Sequence, residues 1–285
     1  MIFSVERMKK KFQKYLPRII GMQFNSQHLI QPQKVASKAF ELFCSPRRGR
    51  VKPEQEAFLN EAKAEVISFQ DKKIQTYRWP GNNKKVLLVH GWESNTHRWK
   101  DFVKELQKEE YDVFAFDAPA HGYSEGKVIN VPLYAKAIHE MVSHISPSTI
   151  VGHSIGAMST IYHQHQFKNE VEKLILLGPP SEISAIMSDY QKLLQLKPRV
   201  MKTLEEYFYK QLGYRFEEFS IAKFAKEVKK PGLIIHDQYD KIAPISASKA
   251  IHKEWKNSEL IITEGGGHSL SNEQVYQHML SFINH

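Results

Sequence analysis

Short apolar runs alternate with helical segments over residues 66–285, and this alternation constrains the fold more than any other feature of the sequence. The apolar runs cover 86–90, 111–117, 149–153, 171–177, 232–236 and 259–263. Helical spacing lies between them, at 98–108, 132–145, 154–167, 246–255 and 272–283. Strands that alternate with helices form βαβ units, so the sequence predicts an α/β fold with a mostly parallel, doubly wound sheet.

Two stretches interrupt this alternation and predict additions to the sheet domain. Residues 1–60 show helical spacing and many basic side chains, which predicts a basic helical N-terminal extension. Residues 181–229 are helical in pattern and rich in aromatic residues, and they follow the carboxyl end of a predicted strand, where open α/β sheets bind ligands. We therefore predict a helical cap at 181–229 and an α/β core made of 61–180 and 230–285.

The net charge of +9 is confined to the start of the chain. Residues 1–54 hold twelve lysines and arginines against three glutamates, while the remaining residues carry 28 charges of each sign. A basic groove for nucleic acid across the core is therefore not indicated. The single cysteine, Cys44, excludes an internal disulfide, and nothing in the sequence predicts a cofactor or a metal. Because no apolar signal segment or spanning segment is found, we expect a cytoplasmic protein.

A serine lies between two glycines where a predicted strand meets a predicted helix, in the sequence Gly152-His153-Ser154-Ile155-Gly156. The glycines allow a turn so tight that neighbouring side chains would clash. Such a turn projects the serine hydroxyl above the sheet, beside the backbone amides that begin the helix. This context predicts that Ser154 is a nucleophile, although the motif alone also fits a glycine-rich turn with an incidental serine.

A serine nucleophile requires a base, and an acid that orients the base. His268 follows three consecutive glycines after the last predicted strand, in a loop that can lay an imidazole over a distant site. Asp240 follows the preceding predicted strand and stands four residues before Pro244. We select Asp240 as the acid over Asp237, which we expect to cap the same loop. The three residues occur along the chain in the order serine, aspartate, histidine. This order is characteristic of one particular fold among the serine hydrolases.

The anion that forms at an attacked carbonyl needs two backbone donors. The amide of Ile155, directly after the predicted nucleophile, is the first. The amide of Trp92 is the second, because Gly91 lets the backbone approach after the strand at 86–90. We expect His90 to hold this turn rather than to take part in the chemistry.

Five motifs occur in one order along the chain: 88–92, 117–124, 152–156, Asp240 with Pro244, and Gly267 with His268. With these motifs the chain from about residue 66 to its end resembles the α/β-hydrolase superfamily. The second motif resembles the D-x-P-G-H-G-x-S turn of that superfamily, which is structural, with Ala120 where glycine is usual. The resemblance implies an α/β-hydrolase fold with a helical cap, and catalysis by Ser154, Asp240 and His268. Because epoxide hydrolases and haloalkane dehalogenases of this fold have an aspartate in place of the serine, acyl transfer is favoured.

The pattern is most similar to small capped esterases and monoglyceride-lipase-like proteins. It implies a serine hydrolase that cleaves a small-molecule carboxylic ester, or a thioester, through an acyl-enzyme. The aromatic residues at 181–229 favour an apolar acyl or aryl group, or they form the core of the cap itself. The alternative is a catalytically silent member of the superfamily that binds a lipid or a protein partner.

The first 20 residues have the pattern of an amphipathic helix, with lysines between Val5, Met8, Phe12 and Ile19. This pattern predicts one of two arrangements. The helix lies in peripheral contact with a membrane that contains anionic lipid, or it packs on the rest of the protein as an ordinary basic surface helix.

Overall fold

The computed structural model describes residues 2–285, with side chains from residue 15 onward. In chain order its strands are β1 Lys63–Phe69, β2 Lys72–Trp79, β3 Lys85–Val89, β4 Asp112–Phe116, β5 Thr149–His153, β6 Lys173–Leu177, β7 Gly232–Asp237 and β8 Ser258–Thr263. They form one sheet in the order β1-β2-β4-β3-β5-β6-β7-β8. The β1–β2 and β2–β4 pairs are antiparallel and the other five pairs are parallel. The predicted mostly parallel α/β sheet is thereby confirmed.

In chain order the described helices are α1 Ile2–Gln27, α2 Pro32–Cys44, α3 Pro53–Leu59, α4 Lys100–Lys108, α5 Val131–Ile145, α6 Ile155–Gln166, α7 Ile183–Leu194, α8 Pro198–Leu212, α9 Ile221–Ala225, α10 Ile245–Glu254 and α11 Glu273–Asn284. Because successive strand residues face opposite ways, Val86 and Leu88 join an apolar cluster with α4 and α11, whereas Leu87 is buried on the other side. Burial on both faces explains why the central strands read as continuous apolar runs.

The chain divides into two compact units. The sheet unit comprises Ser45–Ser181 and Ile221–His285 and contains every strand. The helical unit joins Met1–Cys44 with Glu182–Ser220 and contains α1, α2, α7 and α8. This division differs from the domains predicted from the sequence. Residues 45–60 group with the sheet unit, and the N-terminal extension and the inserted helices form one unit instead of two separate additions.

Aromatic contacts explain why the extension and the insertion form one unit. Helix α2 packs on α8, where the ring of Phe40 lies 5.5 Å from that of Tyr207 and 6.0 Å from that of Phe208. The ring of Phe43 lies 5.3 Å from that of Tyr190 on α7. These rings therefore form an internal core of the helical unit, which is one of the two readings that the sequence left open for the aromatic residues.

Helix ends in the sheet unit follow local sequence signals. Asn130 caps α5 by accepting the amide of Leu133 at 2.9 Å, and Asn272 caps α11 by accepting the amide of Val275 at 3.0 Å. Among the helices whose residues the structure describes, none combines the length and the apolar character needed to cross a membrane. The serine motif joins the end of β5 to the start of α6, so it lies at the carboxyl ends of the parallel strands.

Candidate active site

Ser154 occupies the turn between β5 and α6 in a conformation that is rare for a residue with a side chain, with φ of 54° and ψ of −121°. The turn approaches its neighbours closely. A Cβ on Gly152 would lie 2.8 Å from the Cα of Ala157, and a Cβ on Gly156 would lie 2.5 Å from the backbone oxygen of His90. Both glycines of the motif are therefore required by space, and the Ser154 amide is held by the Leu177 oxygen of β6 at 2.9 Å.

The three residues predicted as a catalytic triad lie within hydrogen-bond distance of one another. The hydroxyl of Ser154 is 3.1 Å from Nε2 of His268, and Nδ1 of His268 is 2.7 Å from Oδ2 of Asp240. Because a carboxylate only accepts, the proton of the neutral imidazole belongs on Nδ1, which leaves Nε2 free to accept from the serine hydroxyl. The side chain of Asp240 is fully buried and Ser154 is buried. This arrangement can take a proton from the hydroxyl and stabilise the resulting imidazolium.

Two aspartates, Asp237 at the end of β7 and Asp240 in the loop that follows, are held in different ways. Oδ1 of Asp240 accepts the amides of Ile242 at 2.7 Å and Ala243 at 3.0 Å, so one oxygen is anchored while the other meets His268. Asp237 is also buried, but it accepts the amides of Gly266 at 2.7 Å and Tyr239 at 3.0 Å and the hydroxyl of Thr263 at 3.3 Å, and none of these bonds involves the imidazole. Of the two carboxylates, the one that meets the imidazole is therefore that of Asp240.

A second histidine, which the sequence analysis did not select, supports the acid. Nε2 of His236 lies 2.9 Å from the oxygen of Ala243 and 3.4 Å from Oδ2 of Asp240, while Nδ1 lies 2.6 Å from the hydroxyl of Ser248. Burial lowers the pKa of His236. The ring is therefore neutral and supports Asp240 from behind. Its position in a buried strand, one residue before Asp237, is the only sequence signal that could have indicated this role.

The two predicted oxyanion donors come from segments that meet at the serine turn. Ile155 is the first residue of α6, so its amide has no acceptor within the helix. The loop after β3 touches the turn, because a Cβ on Gly91 would lie 3.2 Å from the Cβ of Ser154. Trp92 follows Gly91 directly, and the structure thus brings both segments beside the hydroxyl.

His90 is committed to the backbone, as expected. Its Nδ1 donates to the oxygen of Gly91 at 2.8 Å, and its Nε2 accepts the amide of Ala118 at 2.9 Å. The ring is fully buried, and desolvation lowers its pKa well below the ordinary value for histidine. A neutral imidazole with both nitrogens occupied holds the loop and has no capacity for proton transfer.

The turn at 117–124 is also structural. The buried carboxylate of Asp117 accepts the amides of Thr96 and Tyr123, both at 2.9 Å, and the hydroxyl of Tyr77 at 3.0 Å. Desolvation and this neighbouring charge raise the pKa of Tyr77. Ala120 adopts φ of 68°, the left-handed region that glycine tolerates best, so the substitution noted in the sequence leaves the turn intact.

Two further side chains that the sequence analysis did not select contact the loop that carries His268. Nε2 of His153 lies 2.8 Å from the backbone oxygen of His268, and Nη2 of Arg98 donates to the backbone oxygen of Ser269 at 2.9 Å. Both contacts end on backbone oxygens, which every residue possesses, so no sequence motif records them. Across the part of the chain described with side chains, no group of three or more His, Cys, Asp or Glu residues is arranged to hold a metal ion.

Comparisons with known proteins agree with this architecture. A family model described as serine aminopeptidase, S33 matches residues 81–216. The protein named "Uncharacterized hydrolase YugF" from Bacillus subtilis (strain 168) is 24% identical over 253 residues, which cover 73% of this chain and 92% of that protein. The pimeloyl-[acyl-carrier protein] methyl ester esterase of Neisseria meningitidis serogroup C is 23% identical over 229 residues, which cover 67% of this chain and 88% of that protein.

The fold is shared with solved structures. The Pyrococcus furiosus esterase Pf2001 matches with a TM-score of 0.60 at 23% identity, covering 84% of this chain and 96% of that chain. At this identity the likeness is one of fold. Together with the sheet order and the position of the serine turn after β5, these matches show that the chain has the α/β-hydrolase fold.

Proposed function

We propose that the protein is a serine hydrolase that cleaves a carboxylic ester, or a thioester, by way of an acyl-enzyme. The proposal rests on one observation, the continuous contact from the Ser154 hydroxyl through the His268 ring to the Asp240 carboxylate, at 3.1 and 2.7 Å. The relatives named as a hydrolase and as a methyl ester esterase support ester bonds as the substrate class.

The proposed reaction has two steps. In the first, Oγ of Ser154 attacks the carbonyl carbon while its proton passes to Nε2 of His268, and the same proton then leaves with the alcohol or thiol. In the second, His268 takes a proton from water, the hydroxide attacks the acyl-enzyme, and the acid is released as Ser154 recovers its proton. The amides of Trp92 and Ile155 bind the carbonyl oxygen while it is negative, each contributing about 2.7–4 kcal/mol to transition-state stability. Asp240 stabilises the imidazolium.

An apolar acyl or aryl group is proposed for the substrate. The support is the aromatic composition of the helices inserted after β6. Part of that composition is already explained by packing within the helical unit, where the rings of Tyr207 and Phe208 contact that of Phe40. The chain-length preference measured with substrates is therefore the direct test of this part of the proposal.

Hydrolysis of matched ester and thioester series with short to long acyl chains tests the function. We expect turnover by the wild-type protein and a loss of kcat on the order of 10⁶ in Ser154→Ala, as for nucleophile removal in serine hydrolases generally. Equal rates in the two proteins would contradict the proposal. Binding of an ester or lipid without turnover by the wild type would favour the alternative, a catalytically silent binding protein.

A second proposal, that the protein contacts a lipid surface, rests on the exposed face of α1. Tyr15, Ile19 and Met22 recur with the spacing of one helical face, and their side chains are 42–60% exposed. Gly21 and Phe24 lie on the opposite face and are buried, Gly21 so tightly that a Cβ would overlap the backbone of α7. The apolar stripe therefore faces away from the packing partner of the helix.

Charge favours an anionic lipid surface over a second copy of this chain as the partner of the stripe. Residues 1–54 carry the whole net charge of +9, so two copies would repel each other, whereas anionic headgroups would attract this segment. Val5, Met8 and Phe12 continue the stripe in the sequence, but their side chains lie outside the described residues. The proposal rests on Tyr15 and the residues that follow it.

Co-sedimentation with phosphatidylglycerol–phosphatidylcholine vesicles tests this contact. We expect the full chain to pellet with them at low salt, and the triple variant Tyr15→Ser, Ile19→Ser, Met22→Ser to remain in solution. A matched triple variant at exposed polar positions of α1, Gln23→Ser, Ser26→Ala and Gln27→Ser, should pellet like the wild type. Equal pelleting of all three proteins, or none by the wild type, would contradict the proposal.

A cytoplasmic location is proposed with this contact. The support is that Cys44 is the only cysteine of the chain, so the fold depends on no internal disulfide. Cell fractionation is the check: we expect the protein in the cytoplasmic and membrane-associated fractions, and recovery from the medium would contradict the proposal.

A further inference from the structure

The loop that carries His268, residues 264–270, has little stiffness of its own. It contains three consecutive glycines, and two of them, Gly265 and Gly267, have positive φ values of 87° and 53°. Glycine gives the backbone more freedom than any other residue. Proton transfer from Ser154, however, requires the imidazole to stay within a fraction of an ångström of one position. Contacts from outside the loop must therefore supply the order that its sequence lacks.

Two of these contacts hold successive carbonyl groups beside the imidazole. Nε2 of His153 lies 2.8 Å from the oxygen of His268, and Nη2 of Arg98 lies 2.9 Å from the oxygen of Ser269. The two residues close the short 3-10 turn Gly267–Ser269, whose last carbonyls lack partners within the turn. One anchor comes from the end of β5 and the other from the turn after β3, so the loop is fixed from two directions.

The surroundings of His153 determine which of its nitrogens carries the proton. Nδ1 is buried without a hydrogen-bond partner, and a Cβ on Gly91 would lie only 2.5 Å from it. Nε2 faces a carbonyl oxygen, which can only accept, so the proton lies on Nε2. Burial and the nearby charge of Arg98 lower the pKa of His153 well below its ordinary value. The ring, 4.9 Å from that of His268, is thus a neutral donor that does not repel an imidazolium.

Arg98 is arranged in an unusual way for an arginine. None of the ion pairs formed by the residues with described side chains includes it. Its guanidinium lies 4.4 Å over the ring of Trp99 and donates to the oxygen of Ser269. Desolvation lowers the pKa of Arg98 to about 10, so the group is still charged near neutral pH. A charge placed here without a carboxylate gains its hydrogen bond from the histidine loop.

We propose that His153 and Arg98 are positioning residues for the acyl transfer proposed above, on which this role rests: they hold the backbone of residues 268 and 269 so that the His268 ring stays between Ser154 and Asp240. Neither side chain contacts the reacting atoms in this role. Loss of either side chain should therefore lower kcat and leave KM nearly unchanged, because the imidazole takes part in the chemical step and not in the ground-state binding of substrate.

Paired substitutions test the role. His153→Leu and Arg98→Met remove the donors, and each should lower kcat by about 10²-fold, the effect expected from a displacement of about 1 Å. His153→Gln retains a donor at a similar distance from the backbone, and Arg98→Lys retains a cationic donor on a side chain that is one atom shorter. Both should recover most of kcat. The rate of labelling of Ser154 by a fluorophosphonate, which also needs the base, should fall and recover in parallel.

The double variant His153→Leu, Arg98→Met supplies a further readout, since two anchors of one loop should show losses in kcat that are less than multiplicative. The positioning role would be overturned if the decrease in kcat merely matched the decrease in the fraction of folded protein. It would also be overturned if the conservative variants failed to restore kcat. If the wild type is active and the variants have the same kcat, the positioning role is overturned but the proposed function is not. A wild type that neither hydrolyses esters nor reacts with the fluorophosphonate would refute the proposed function itself.

Discussion

Two aspartates three positions apart, one at the end of β7 and one in the loop after it, hold different partners. Asp240 presents Oδ2 to the His268 ring at 2.7 Å and anchors Oδ1 on two amides. Asp237 instead joins the end of β7 to the loop that carries His268, through the amide of Gly266 at 2.7 Å. At the scale of single residues, the roles of the two side chains are separated by what each one faces.

Asparagine substitutions separate the two roles experimentally. Asp240→Asn should lower kcat by about 10⁴, because the amide favours the wrong tautomer of the imidazole and no longer stabilises its charge. Asp237→Asn keeps an acceptor for the Gly266 amide and should lower kcat by no more than about tenfold, since it leaves the His268 tautomer unchanged. Steady-state kinetics on one ester measures both, and the reverse ranking would assign the acid role to Asp237.

The sequence predicted those site residues that can be recognised from their residue type and their spacing along the chain. Ser154, His268 and Asp240 could be selected because a nucleophile, a base and an acid are required in that chain order. His153, Arg98 and His236 could not, because they act through contacts with backbone groups or with another side chain that only the folded chain brings near. The strained conformation of Ser154 was implied by its two glycines, whereas the left-handed Ala120 was not.

At the scale of an element, the turn after β4 depends on close approach. Gly122 has φ of 47°, and a Cβ there would lie 1.9 Å from the carboxylate of Asp117. The same carboxylate holds the amides of Thr96 and Tyr123. The turn is therefore built around one buried acceptor, and an added methyl group at Gly122 cannot be accommodated without displacing it.

Gly122→Ala should lower the free energy of unfolding by about 3 kcal/mol or more, the sum of a left-handed alanine and weakened bonds to a buried charge. Gly213→Ala is the matched control. Gly213 also has positive φ, 81°, but a Cβ there would have no neighbour within 4 Å, so only the backbone cost of about 1–2 kcal/mol applies. Urea unfolding compares the two variants, and equal losses would contradict the steric explanation.

The packing of α6 against α5 makes a histidine sensitive to acid. His163 is fully buried, with Nε2 3.4 Å from Nδ1 of His139. Burial, with smaller contributions from the charges of His139 and Lys230, lowers the pKa of His163 to about 3 from 6.5. The folded state thus binds fewer protons than the unfolded chain between these values, so stability is lost as the pH falls below about 6.5.

Replacement by a neutral residue should reduce this loss. At about pH 5 the proton on the unfolded chain favours unfolding by about 2 kcal/mol through His163 alone. The decrease in unfolding free energy from about pH 7.5 to pH 5 should be smaller by that amount in His163→Gln than in the wild type. Urea unfolding at the two pH values measures the difference, which also cancels any change in packing. An unchanged pH dependence would contradict the neutral, buried state of His163.

At the scale of the whole molecule, the sheet was predictable and the grouping of the helices was not. Strand and helix periods are local, and parallel strands with intervening helices admit few arrangements. The joining of Met1–Cys44 to Glu182–Ser220 depends on contacts such as Phe40 with Tyr207, which are separated by more than half of the chain. A hydrophobic face in the sequence indicates that a helix is buried, but not which distant helix buries it.

The central claim is that Ser154 is a nucleophile activated by its neighbours, and reaction with an active-site-directed fluorophosphonate tests it most directly. Intact-mass spectrometry should find one adduct on the wild-type protein, located at Ser154 by peptide mapping. It should find none on Ser154→Ala and strongly slowed labelling of His268→Ala. An unlabelled wild type, or equal labelling of Ser154→Ala, would contradict the account.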